Sequence, residues 1–155
     1  MKITKDMLRA WHACRDGYEW FLRHYPDGEA DYQAVLDALA TANRPSDAHW
    51  LMDHAGRDET AVLEVDAIAD TKHLFFAGQI VIARSATLSG ALRAGSGIKA
   101  GEGIKAGEGF SIFAGLRLRL SDWTLYAKVI AKDKPENLVS GSWVEPSAES
   151  CKEHR

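Results

Sequence analysis

From Val62 onward an apolar residue stands at every sixth position: Val62, Ile68, Leu74, Ile80, Ala86, Leu92, Ile98, Ile104, Phe110 and Leu116. With 46% of the chain hydrophobic, ten such successes carry odds of roughly 0.003 after allowing for six phases, so the period belongs to the fold. Two residues after each anchor, from Leu74 forward, come Phe76, Ile82, Leu88, Ala94, Ala100, Ala106, Ile112 and Leu118, all apolar as well. Between each pair lies one residue of the opposite face: Phe75, Val81, Thr87, Arg93, Lys99, Lys105, Ser111 and Arg117. In–out–in over three residues is a minimal β-strand, because side chains alternate across the pleat. The other three positions of each hexad are rich in glycine, which a chain turning every six residues requires.

A strand of three and a corner of three, repeated, predicts a short β-helix; a meander of hairpins with glycine turns is the alternative. Three hexads per coil stack Leu74, Leu92 and Phe110 in one column and Ile80, Ile98 and Leu116 in another. Glu64 and Asp70 fall in the second inward slot of the first two hexads. Regular coiling is therefore expected to begin near His73, with residues 62–69 as a lead-in strand. Asp122 occupies the next anchor position and ends the repeat near Leu120. Beyond it, residues 123–131 and 138–144 alternate like two strands joined by a polar loop at 133–137, and read as a β-hairpin that caps the solenoid. Residues from Pro146 onward are polar enough to form a tail.

Before residue 58 the period changes to that of a helix. Met7, Trp11, Cys14, Tyr18, Phe21/Leu22 and Tyr25 recur at spacings of three and four. Thr4 or Asp6 can cap the start, Asp16-Gly17 interrupts the stripe, and Pro26-Asp27-Gly28 ends it. A second helix is expected over 30–42, and a third over 47–54 with Ser46 as N-cap and Gly56 as C-terminal stop. Three short helices bury too little surface to stand alone, so they are expected to pack on the repeat. The fold class is α+β: a helical head (1–57), a hexad-repeat solenoid (58–120), a C-terminal hairpin cap (121–145) and a polar tail (146–155).

Composition narrows the function classes. Nineteen Lys+Arg against 22 Asp+Glu give a net charge of -3, so no basic field points to direct nucleic-acid binding. The longest mostly apolar stretch, 74–83, is too short to span a bilayer, and the N-terminus lacks the apolar run of a secretory signal. Cys14 and Cys151 sit at opposite ends with no CxxC spacing, so neither a disulfide framework nor a zinc site is indicated. A cytoplasmic protein, without membrane contact, is the expectation. Charge is uneven along the chain: seven basic and eleven acidic residues over 1–60, then seven and five over 61–120. The outward row Arg93, Lys99, Lys105 and Arg117 predicts one basic solenoid face.

No catalytic constellation emerges. His49 and Asp53 stand four apart, with His54 next to them, but two such ligands do not make a metal site, and a surface His49–Asp53 pair is expected instead. His12 and His24 are expected as partly exposed helix residues, and His73 is the lone histidine of the repeat. Residues 97–102 and 103–108 are identical copies. Duplicated units suit a spacer or a structural core, whereas an active site needs unlike groups converging on a point. No catalytic residue, metal or cofactor is expected.

The hexads resemble those of left-handed β-helix acyltransferases. Those enzymes, however, look for a small residue four positions after the anchor, where this chain has Arg84, Glu102, Glu108 and Leu120 among others. The two-inward pattern over 74–120 is more similar to bactofilins, which implies a structural module that stacks end to end. The combination of Ala10-Trp11-His12-Ala13-Cys14, Tyr18-Glu19-Trp20-Phe21-Leu22, Trp50-Leu51-Met52-Asp53-His54 and the Ile-Lys-Ala-Gly-Glu-Gly array resembles small anti-CRISPR proteins of phages and mobile elements. That resemblance implies a non-enzymatic inhibitor whose partner is the DNA-binding subunit of a type I CRISPR surveillance complex in the bacterial cytosol, acting as a monomer or with weak self-association.

A DNA mimic offers carboxylates at phosphate-like spacing. Asp58, Glu59, Glu64, Asp66 and Asp70 are the candidate partner-binding residues. In an extended lead-in strand Glu64, Asp66 and Asp70 share one face about 6.6 Å apart.

Overall fold

The structure is a computed structural model and describes residues 1–107, 112–114, 128–131, 134–135 and 138–144. Outside the described residues lie Phe110, Arg117, Leu116, Leu118, the repeat end at Leu120–Asp122, the first part of the 123–131 strand, most of the 133–137 loop, and the tail with Cys151.

The head begins with β1 (Lys2–Thr4), antiparallel to β2 (Glu29–Asp31), with Ile3 opposite Ala30. Thr4 Oγ1 accepts the Met7 N–H and opens α1 (Lys5–Ala10). The break in the first helical stripe falls earlier than at Asp16-Gly17. His12 adopts a left-handed conformation (φ 60°), and Cys14 then caps α2 (Arg15–His24), its Sγ accepting the Gly17 N–H at 3.4 Å. Gly17 therefore lies inside α2. Asp31 caps α3 (Tyr32–Thr41) through the Ala34 N–H. In α4 (Pro45–Ala55) Pro45 takes the first helical turn and Ser46 is not the cap: proline's fixed φ and missing N–H suit that place. Gly56, at φ 85°, ends α4 as expected.

The hexad repeat winds into a β-solenoid of about three turns whose strands pair in parallel across three sheets. One sheet holds β4 (Ile68–Thr71), β7 (Ala86–Leu88) and β10 (Ile104–Lys105). A second holds β5 (Leu74–Phe76), β8 (Leu92–Ala94), β11 (Ile112–Ala114) and β13 (Leu138–Ser140). The third holds β3 (Val62–Val65), β6 (Gln79–Ile82), β9 (Ile98–Ala100), β12 (Lys128–Ile130) and β14 (Ser142–Val144). Ile80, Ile82, Leu92, Ile98, Ile112 and Val129 fill the interior, each at most 1% exposed. Coils approach so closely at the corners that a Cβ on Gly101 would sit 2.2 Å from the Ala83 carbonyl oxygen.

Four details depart from the sequence expectation. Coiling begins at Val62 rather than near His73, since β3 and β4 already pair with β6 and β7. Leu63, not Val62, faces Ile80; this one-residue slip turns Leu63 and Val65 inward and Glu64 outward, because strand side chains alternate. The columns continue through Ile112 (opposite Leu92) and Val129 (opposite Ile98), the places assigned above to Phe110 and Leu116.

The fourth departure concerns the C-terminal strands, which form no hairpin. β12 pairs in parallel with both β9 and β14, and β13 in parallel with β11, so strands extend the solenoid past Leu120. A hairpin satisfies only its own two strands, whereas the open edges of β9 and β11 template parallel addition and cover more of the apolar column. The Trp143 indole N–H, donated to the Ala131 carbonyl at 2.9 Å, ties β14 down.

The head lies on the outer face of the β5–β8–β11 sheet. Phe75, Ala77 and Ala91 belong to the same apolar cluster as Leu36, Leu39 and Met52 of the head.

Candidate functional site

Arg93 projects outward from the solenoid, yet it is 7% exposed because α4 covers it. The expected basic face of Arg93, Lys99, Lys105 and Arg117 does not form among the described residues: Arg93 is covered, and Lys99 on β9 and Lys105 on β10 stand on different sheets, because each hexad turns the chain to the next side of the solenoid. Its Nη1 donates to His49 Nδ1 (3.0 Å) and to the His49 carbonyl (3.2 Å), and its Nη2 to Asp53 Oδ1 (2.5 Å). The guanidinium lies 5.2 Å from the centre of the Phe113 ring. His49 and Asp53 thus do not make a surface pair: both clamp one buried cation. Because arginine only donates, His49 Nδ1 is an acceptor and the ring is neutral. Burial, reinforced by the Arg93 charge, pushes the His49 pKa down to about 4, with Asp53 pulling the other way. The ring packs edge-on against Phe75 and Phe113.

Two further polar contacts hold the junction. His73 Nδ1 accepts the Ala91 N–H (3.0 Å) while its Nε2 meets Asn43 Oδ1 (2.8 Å), at the end of α3 where Asn43 takes a left-handed turn. A Cβ on Gly90 would come 2.3 Å from that ring. Gln33 of α3 reads the edge of β5 as a strand would, donating to the Phe75 carbonyl (2.8 Å) and accepting the Ala77 N–H (2.9 Å). These groups position the head on the solenoid.

One surface left open among the described residues is the first coil. Among the described residues β3 pairs only with β6 and β4 only with β7, so both present a strand edge. Leu63, Val65, Leu74 and Phe76 close the apolar column at this end and are only partly buried. Val62 is 50% exposed.

The five acidic residues singled out from sequence gather near this end without forming a row. Asp58 Oδ1 accepts the Thr60 hydroxyl (2.8 Å) and Thr60 N–H (3.0 Å), bonds that hold its carboxyl below the usual range. Glu59 pairs with Arg57 at 3.0 Å. Glu64 faces outward from β3, Asp66 sits at the corner after it and accepts from Arg84, and Asp70 lies exposed in β4 at φ 55°. Glu64 and Asp70 stand on different sheets, so Glu64, Asp66 and Asp70 do not share a face: the chain turns a corner between β3 and β4 where one extended strand was expected. Asp70 also breaks the β4–β7 register, an irregularity of the kind that blunts edge strands.

No pattern in the chain marks Gln33 as an edge cap. Phe75 stands in an outward slot of the repeat, and only the docked head makes it interior, at 1% exposed.

Among the described residues no group of three or more His, Cys, Asp or Glu is placed to hold a metal ion, and no helix is long and apolar enough to cross a membrane. Residues 1–57, the span of the head, match the family model of the YdhT N-terminal domain. No curated protein and no solved structure matches the chain.

Proposed function

We propose that this protein is a non-enzymatic docking module whose open first coil receives the end of another β-solenoid, in the simplest case a second copy of this chain. The observation that carries the reading is the pair of unsatisfied edges, β3 and β4, around the partly exposed side chains Leu63, Val65, Leu74 and Phe76. A parallel solenoid end offers backbone donors and acceptors at fixed corners, and a partner with the same coil geometry satisfies them together. Glu64 and Asp70 set like charges against each other if two first coils meet. Head-to-tail stacking, which is heterologous and open-ended, is the favoured arrangement.

Sedimentation velocity across a hundredfold concentration range tests this. Growing oligomers are expected, and L63K/V65K is expected to leave monomer alone with unchanged circular dichroism. A single monomer peak at every concentration removes the reading.

A second reading uses the same end. The exposed carboxylates Glu59, Glu64 and Asp70 support a role as an inhibitor that occupies the DNA site of a type I CRISPR surveillance complex in a bacterial cytosol, the role the anti-CRISPR resemblance implies. Binding to such a complex that E64K/D70K abolishes is the expected result; undiminished binding of that variant eliminates charge mimicry.

A further inference from the structure

The helical head holds a half-open cavity of about 270 Å³ among Leu8, Trp20, Phe21, Leu39, Trp50 and Leu51. Its walls are apolar, with Cys14, Ser46 and Asp47 as the polar groups. Gly17 supplies no side chain at the point where Cys14 Sγ and Asp47 Oδ1 approach, 3.4 and 3.5 Å from where its Cβ would be.

The geometry points to a binding site for a compact, planar, uncharged aromatic of two fused rings with one N–H donor. Size sets the first part. An apolar cavity of about 150 Å³ accommodates benzene, so one nearly twice as large takes roughly ten heavy atoms. Wall chemistry sets the second: aromatic and aliphatic side chains facing empty space forfeit dispersion contacts that a flat apolar occupant restores.

The polar groups set the third. Asp47 Oδ2 accepts from Arg44 Nε (2.7 Å), and Arg44 Nη2 also reaches Asp16 (2.5 Å), so two carboxylates share one cation. Asp47 Oδ1 has no donor among the described residues and faces the gap at Gly17. A surplus of negative charge there repels an anionic ligand and welcomes an N–H.

Indole is the probe. Added in millimolar excess to the full chain, it is expected to raise Tm by several degrees in scanning calorimetry, since a ligand bound only by the folded state stabilises by mass action. It is also expected to shift the Trp20 and Trp50 indole N–H resonances in nitrogen–proton correlation spectra. 1-Methylindole, with the same rings and no N–H, is expected to bind at least about tenfold more weakly, as a lost hydrogen bond of about 1.4 kcal/mol requires. Indole-3-acetate is expected to leave Tm unmoved.

Gly17→Leu, which fills the gap, is expected to abolish the indole shift while retaining its own folding transition. An unmoved Tm in the native chain, an equal shift in Gly17→Leu, or resonance changes confined to Trp143 overturn the site. Equal affinity for 1-methylindole overturns the role of Asp47. Should Gly17→Leu fail to fold, the resonance map of the native chain alone decides.

Discussion

Arg93 shows how a charge becomes part of a core. Its side chain is 9% exposed, and its Nε has no partner among the described residues, so part of its desolvation is uncompensated. Truncation removes the stem that fills the space under α4, the stacking on Phe113 and the bonds to His49 and Asp53. Arg93→Ala is expected to cost about 2–4 kcal/mol, and Arg93→Met, which keeps the volume, distinctly less. Denaturant midpoints of the two variants compare them directly.

His49 predicts a pH response with a definite sign. In the unfolded chain it protonates near 6.5, whereas in the folded protein it stays neutral down to about 4. Between those values the unfolded state binds more protons, so stability is full above about pH 6.5 and falls as the pH drops toward 4. His73, lowered chiefly by burial, acts in the same direction. Solvent screening of the half-buried His49 ring limits the loss to about 1–2 kcal/mol. Urea titrations at pH 7 and pH 4.5 measure it, and His49→Phe is expected to flatten the slope.

At the scale of the element, each coil is a strand–corner unit whose stability depends on its neighbours. The two glycines of the Gly101-Glu102-Gly103 corner illustrate this. A Cβ on Gly101 would strike the Ala83 carbonyl at 2.2 Å, whereas one on Gly103 meets nothing within 4 Å. Gly101→Ala is expected to destabilise by more than about 2 kcal/mol, while Gly103→Ala is near neutral or stabilising by about 0.5 kcal/mol. Thermal melts of the two variants separate them. The duplicated glycines look alike in sequence, and only the stacking of coils tells them apart.

The whole molecule is held by a core that head and solenoid share. Phe75, Ala77 and Ala91 bury against the helices, so neither part keeps its apolar surface covered alone. One cooperative transition is expected, with far-ultraviolet circular dichroism and tryptophan fluorescence coinciding, because both signals draw on both parts, with Trp20 and Trp50 in the head and Trp143 in the solenoid. Residues 58–155 expressed without the head are expected to aggregate through the bared β5–β8–β11 face, as light scattering reveals.

Local periodicity determined the architecture. The six-residue spacing of Ile80, Ala86, Leu92 and Ile98 and the helical stripe through Leu36 and Leu39 were legible because a repeated pattern leaves one way to bury all its apolar positions. The acidic residues of the first coil could be named but not arranged. Val62 and Leu63 are both apolar, so composition left the register open by one residue, and that residue turned Glu64 outward. The run to Ile112 in place of Phe110, and the parallel return of β12, β13 and β14 in place of a hairpin, were likewise settled by edges that earlier coils provide. Outward from a strand is a local property, whereas outward from the molecule is not. Only the docking of α3 and α4 decided that Phe75 and Arg93 are interior and that Gln33 closes an edge, because those contacts join residues some forty positions apart and leave no period in the chain.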